Sequence, residues 1–272
     1  FSNLKITSIV IPSEVAEIGN LAFSGCNKLS SVVFKGSKVA TIGTSAFSGC
    51  SNLTTISIAN IGLKNIGEGA FSGCSKLSQI ALPNDLNSIQ KRTFENCGAL
   101  TQIVLPNTLT TIGESAFAST GLTTIDIPVS VTNLEAYFVE NCANLVDIIV
   151  RTNNIATFPR LVGYRGTLNS IQHIYVPTEK VETYKSQSTL RNFKDKVLSI
   201  EITWSYDETT HYHKCSLAVC EQKQDVENHI ESEWIVDQTA TQTESGTRYK
   251  ECTICKKELA RENYSLNKVY TL

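Results

Sequence analysis

Apolar residues return along this chain in three short bursts, and the set repeats every 23 or 24 residues. The first burst reads Leu-x-x-Ile-x-Ile-Pro. It appears as Leu77, Ile80, Leu82 and Pro83, as Leu100, Ile103, Leu105 and Pro106, and as Leu122, Ile125, Ile127 and Pro128. Alternation with period two predicts a short, half-buried strand. The proline after it ends the strand, because it has no N–H to give to a ladder. The second burst reads Val/Leu-x-x-Ile-Gly, as in Val15, Ile18 and Gly19, or Val39, Ile42 and Gly43, or Leu63, Ile66 and Gly67, or Leu109, Ile112 and Gly113. Its glycine predicts a tight bend with positive φ. The third burst is Ala-Phe-x-x-Cys, and segments such as Glu114-Ser115-Ala116-Phe117 predict one short helical turn that sinks the phenylalanine inward.

The cysteines at 26, 50, 74 and 97 step by 24, 24 and 23 residues, and a fixed period of that size marks a solenoid. One turn alone buries nothing on its flat sides. Stacked turns place each Leu, Ile, Phe and Cys over its equivalent and make a continuous core. The sixth turn is the least faithful: between Glu135 and Cys142 either there is one residue too many, or Val139 takes the phenylalanine slot. Residues 151–170 lose the pattern, and a loop bulging from the stack is expected there. Ile171–Pro177 reads as a last strand. Thr178, three residues before Val181 and with Glu179 early and Lys185 late, predicts a capped helix. Leu190, Phe193 and Val197 continue an apolar stripe, so residues 171–200 read as the polar-faced cap that such stacks require.

These motifs resemble the BspA-type leucine-rich repeats of bacterial and protozoan surface proteins. The resemblance covers residues 1–200. The asparagine of the general leucine-rich repeat is absent after the strand, where Pro106-Asn107-Thr108 and Pro83-Asn84-Asp85 stand instead, and the Ala-Phe-x-x-Cys element fits the BspA variety. It implies a right-handed β/α superhelix of short parallel strands and short helical turns, with adhesion and cell-surface attachment as the role.

Composition narrows the classes. Of 272 residues, 41% are apolar and 18% charged, which reads as globular rather than disordered. The net charge of −2 argues against a nucleic-acid partner or an anionic membrane. No apolar run approaches the ~18 residues of a membrane span. The chain lacks methionine and opens inside a repeat, so it reads as a fragment or mature form whose missing residues would hold any targeting signal. Cys26, Cys50, Cys74, Cys97 and Cys142 read as buried thiols filling small core sites. His173 reads as a solvated strand residue.

Near residue 200 the composition shifts to charged residues, His and Cys, and 201–272 reads as a separate small β-rich module. Cys252 and Cys255 form a C-x-x-C knuckle, and Cys215 and Cys220 form a looser pair. Together they are candidate ligands for a structural zinc ion, since four thiolates suit its tetrahedral geometry. The 31 residues between the pairs exceed the usual ribbon spacing. Zinc, disulfides and free thiols all stay open, in each case with a structural role. The module is similar to Cys/His modules appended to surface proteins of gut bacteria, with His213, Cys215, Cys220, His229, Trp234, Gly246, Cys252 and Cys255 in shared order. The wider first pair departs from their commoner spacing.

For function, the chain reads as a monomeric, secreted or cell-surface binding protein that presents its repeats to a host or matrix protein or glycan. The alternative is a passive spacer without a specific ligand. The outward strand positions Ser31, Val33, Thr55, Ser57, Gln79, Ala81, Gln102, Val104, Thr124, Asp126, Asp147 and Ile149 lack the Trp, Tyr and Arg of binding hot spots. The irregular loop offers Phe158, Tyr164 and Arg165 as contact candidates. No G-x-S-x-G, H-E-x-x-H or phosphate loop is present, so no catalytic residue is expected.

Overall fold

The structure is a computed structural model. It describes residues 1–200 except 60, 164 and 165, and six strands of residues 201–272. The chain divides into one compact unit of residues 1–200 and a second of residues 201–272. In the first unit the predicted alternation makes parallel strands: Ser8–Ile11 pairs with Ser31–Phe34, Thr55–Ser57 with Gln79–Ala81, and Thr124–Ile127 with Asp147–Val150. A second set of two-residue strands, such as Thr41–Ile42 between Glu17–Ile18 and Asn65–Ile66, runs along another side of the stack. Residues 102–105 form no strand, yet Leu100 and Leu105 are buried in the shared core. The main sheet is interrupted there, and the coil is held by this packing together with its strand Thr111–Ile112, which is paired on both sides.

The third burst is not helical. Each copy is a turn in which alternate N–H groups point at the next coil. Leu21, Phe23 and Gly25 donate to the carbonyls of Thr44, Ala46 and Ser48 at 2.9, 2.7 and 2.7 Å. Ser45, Phe47 and Gly49 repeat this on Glu68, Ala70 and Ser72 at 2.9, 2.8 and 2.7 Å. Such a pattern needs two left-handed residues per copy. One slot holds Leu21, Ser45, Gly69, Arg92, Ser115 and Tyr137, and the other Gly25, Gly49, Gly73, Asn96, Ser119 and Asn141, all with φ between 53° and 74°. For non-glycine residues that conformation costs roughly 1–2 kcal/mol, which the inter-coil bonds offset.

The glycine after the second isoleucine therefore has a different reason from the expected bend. A Cβ on Gly43 would meet Asn20 N at 2.6 Å, one on Gly67 would meet Thr44 N at 2.5 Å, and one on Gly113 would meet Lys91 N at 2.6 Å. Close approach to the coil beneath excludes a side chain. Gly19 belongs to the first complete copy and would meet nothing within 4 Å. Gly67→Ala is expected to destabilise the stack by about 1–3 kcal/mol through overpacking. Gly19→Ala should leave the melting midpoint within error of the parent, and paired thermal melts check both.

The interior is built of columns. Phe1, Phe23, Phe47, Phe71, Phe94 and Phe117 stack ring on ring, with centroids 5.2–5.7 Å apart and planes within 12° of parallel. The column ends where Val139 takes the phenylalanine slot, because Phe117 N bonds Phe138 O just as Phe23 N bonds Ala46 O. The described residues of 151–170 do not bulge from the stack: Ile155, Phe158, Leu161 and Leu168 are buried in the shared core.

The last coil closes differently from expectation. Val181–Lys185 is an α-helix of five residues entered through a 3₁₀ turn, and no side chain caps it. Leu190, Phe193 and Val197 are buried as expected, but Leu190 ends one 3₁₀ turn, Ser188–Leu190, and a second, Lys194–Lys196, lies between Phe193 and Val197. Val197–Ile200 then joins the sheet beside His173–Pro177 as its final strand. In the second unit, Ile202–Tyr206, Thr210–Cys215 and Gln224–Asn228 form one antiparallel sheet, and Ile235–Gln238, Gly246–Glu251 and Glu258–Tyr264 form another.

Candidate functional site

Strand pleating sends alternate residues to opposite faces, so the outward side of the sheet is a two-column surface. Ser31, Val33, Thr55, Ser57, Gln79, Ala81, Gln102 and Val104 are all exposed on it, as are Ser8 and Val10. None carries a charge. Val10, Val33 and Val104 keep 51%, 44% and 54% of their surface in water.

From Thr124 onward the same face changes character. Thr124, Asp126 and Asp147 are half-buried, and Ile149 is fully buried, against the expectation that it lies outward and open. Ile149 is not part of the main apolar cluster, so it is covered on the outward side. Beside it Arg151 is enclosed, and it forks onto Asp126 with Nε to Oδ1 at 2.7 Å and Nη2 to Oδ2 at 2.8 Å. Its Nη1 is buried with no partner among the described residues.

One strand further, His173 Nδ1 lies 2.7 Å from Asp147 Oδ1, and its ring sits 5.3 Å from that of Tyr175. Burial first, and the Asp147 carboxylate second, push the Tyr175 phenol up from its ordinary value. His173 was expected to be solvated and alone. It lacked a carboxylate nearby in sequence, but Asp147 is its register partner on the adjacent strand. Thr124, Asp147 and His173 follow one another across three strands, which puts the acid in the middle. A nucleophile is activated when the histidine stands between hydroxyl and acid, so this order does not build that relay.

The five cysteines of the stack are free and buried. Each Sγ donates to the phenylalanine carbonyl of the preceding coil: Cys26 to Phe1, Cys50 to Phe23, Cys74 to Phe47, Cys97 to Phe71 and Cys142 to Phe117, at 3.1–3.2 Å. Burial pushes the Cys50 and Cys97 thiols from 9.0 up to about 12, and Cys74 well above 9.0. Cys50, Cys74 and Cys97 are therefore protonated donors that fill small sites, not nucleophiles. Because the folded values lie above the unfolded one, their contribution to stability is whole below pH 9.0 and is lost as pH rises toward 12. We expect the stack thiols to resist iodoacetamide at pH 8 until denaturant is added, with peptide mapping to separate them from the tail cysteines.

The loop candidates fare unevenly. Phe158 is fully buried and packs edge-on against Tyr184, with centroids 5.3 Å apart, so it is a core residue and not a surface contact. Tyr164 and Arg165 lie outside the described residues. Of the candidate zinc ligands, Cys215 ends the strand Thr210–Cys215 and Cys220, Cys252 and Cys255 lie outside the described residues. Among the described residues no three His, Cys, Asp or Glu side chains gather as a metal site, and no helix is long and apolar enough to cross a membrane.

Against known proteins, residues 1–118 and 89–186 match the BspA type leucine rich repeat region, in six copies. A leucine rich cell surface protein from Faecalibacterium prausnitzii is 29% identical at a TM-score of 0.51, over 63% of this chain and 51% of that one. A leucine-rich repeat protein from Bacteroides ovatus is 28% identical at a TM-score of 0.40, over 63% and 55% of the two chains. The leucine rich repeat protein of T. pallidum is 31% identical at 0.39, over 53% and 64%. The chain thus spans between half and two thirds of the length of these solved proteins. No curated protein matches it.

Proposed function

The chain belongs to the BspA type leucine rich repeat family, and from that premise we propose that it is a non-enzymatic scaffold, secreted or held at a cell surface, that binds a host or matrix protein or glycan. The observation that carries this reading is the outward strand face. From Ser8 to Val104 its strand positions are open and uncharged, with Lys35 at one edge, and it leaves three large valines in water. An uncharged strip with apolar spots suits a partner laid along the coils, because desolvating it requires no charge to be stripped of water. The similarity to a cell surface protein from Faecalibacterium prausnitzii supports the location.

The test is retention on immobilised matrix proteins and host glycans, with Val33→Lys/Val104→Lys as the control. At least one surface should hold the parent chain, and the variant should lose about tenfold in affinity, about 1.4 kcal/mol, with its melt unchanged. A chain that binds nothing above background is the passive spacer. The monomeric state and the lack of nucleic-acid binding belong to the same proposal, and light scattering and an oligonucleotide titration check them. For the tail we propose structural zinc on Cys215, Cys220, Cys252 and Cys255. Elemental analysis showing zinc supports it, and a mass gain on reduction without zinc assigns disulfides instead.

A further inference from the structure

We propose that the groove between residues 160–163 and 166–169 on one side and 188–196 on the other binds an acidic saccharide, a sugar-sized ligand bearing a carboxylate or a sulfate. This site is separate from the outward strand face and does not depend on it.

Both walls are fixed from behind. On the first, Tyr137 N donates to Arg160 O at 2.7 Å, Asn141 N to Thr167 O at 3.0 Å, and Gly163 N to the Glu140 carboxylate. On the second, Leu190 N donates to Gln187 O at 3.2 Å and Phe193 N to Leu190 O at 2.7 Å, and Gln187 Oε1 in turn accepts from Phe158 N at 2.8 Å. Between the walls lie two cavities of about 420 and 290 Å³ that share Val162, Asn192 and Phe193. That is the size of a small-ligand site.

The charged side chains of the lining are cationic, and the Glu140 carboxylate that accepts from Gly163 N lies behind it. Arg160, Arg191 and Lys196 line these cavities, and no Asp or Glu does so among the described residues. The chain as a whole carries −2, so this concentration of cations is local. Lys196 gives its ammonium to the Ile171 carbonyl, while neither guanidinium has an ion pair among the described residues. A guanidinium presents donors in a planar fork that matches a carboxylate or sulfate, and both arginines are exposed and open to a ligand. Asn192 at the junction offers a donor and an acceptor to sugar hydroxyls. With few apolar side chains, the lining suits a polar ligand and not an acyl chain.

Calorimetric titration of the full chain tests this, with glucuronate, N-acetylneuraminate and glucosamine 6-sulfate as probes. Galactose and inorganic sulfate serve as controls. At least one acidic sugar should bind, more weakly at high salt. Arg160→Ala and Arg191→Ala should each weaken it at least tenfold, with melts and strand-face retention unchanged. Preference for the carboxylate or for the sulfate sugar supports the site and identifies the anion. Equal binding of galactose, equal binding of free sulfate, full binding by the double variant, or no binding by any acidic sugar would each overturn it.

Discussion

Phe71→Ala is expected to destabilise the repeat unit by about 3–5 kcal/mol. Its ring lies between those of Phe47 and Phe94, at centroid distances of 5.6 and 5.7 Å and within 2° of parallel to both. The backbone of the coil does not depend on the ring. Phe71 N still donates to Thr93 O at 3.0 Å, and Phe71 O still accepts from Cys97 Sγ at 3.2 Å. Those bonds hold the coils at their spacing, so the neighbouring rings cannot close over the gap and the cavity persists. Phe1 supplies the contrast. It ends the same column but is 76% exposed, so Phe1→Ala should shift stability by less than about 1 kcal/mol. Urea melts followed by circular dichroism measure both. Because neighbouring coils stabilise one another, the Phe71 variant should also broaden the transition as the two halves of the stack uncouple. Equal midpoints for the two variants would mean that the ring column does not carry the fold.

The stack was legible because its signal is periodic. Leu53, Ile56, Phe47 and Cys50 are buried where the pattern places them, and Ser31 through Val104 face water as alternation requires. What the pattern concealed is backbone conformation. The left-handed slots hold Leu21, Ser45, Arg92 and Tyr137, none of which a sequence marks for positive φ. An N–H aimed at the next coil selects them, and residue preference does not. The conserved-looking glycines Gly43, Gly67 and Gly113 then mislead, since they answer to contact with the coil beneath and not to a bend.

The polar pairs were missed for a related reason. In a solenoid a side chain's neighbours stand one period away, so His173 and Arg151 look solitary until Asp147 and Asp126 are counted back by 26 and 25 residues. Phe158 escapes the pattern because a broken repeat looks like a loop outside the core. The loss of consensus there reflects a new partner, Tyr184, from the closing helix. The groove of Arg160 and Arg191 gave no motif at all, because it arises only where that segment and the cap face each other.

The buried fork gives the second large effect. Asp126→Ala is expected to cost about 3 kcal/mol, at the low end for a broken buried pair because Asp126 keeps 24% of its side-chain surface in water. The loss comes mainly from what remains. Arg151 has no exposed side-chain surface, and its Nη1 already lacks a partner among the described residues, so removing the carboxylate strands a charge that water does not reach. Asp126→Ala/Arg151→Met should therefore recover most of the stability, since the charge and its partner leave together. A double-mutant cycle from urea melts reads the coupling, expected at about 2–3 kcal/mol and almost unchanged by salt. The Lys38–Glu14 pair has side chains 61% and 77% exposed, so its cycle should read within about 0.5 kcal/mol of zero. If the double variant were no more stable than Asp126→Ala, the stranded guanidinium would not be the cause. The loss would then lie in packing around Ile149, which the methionine would have failed to restore.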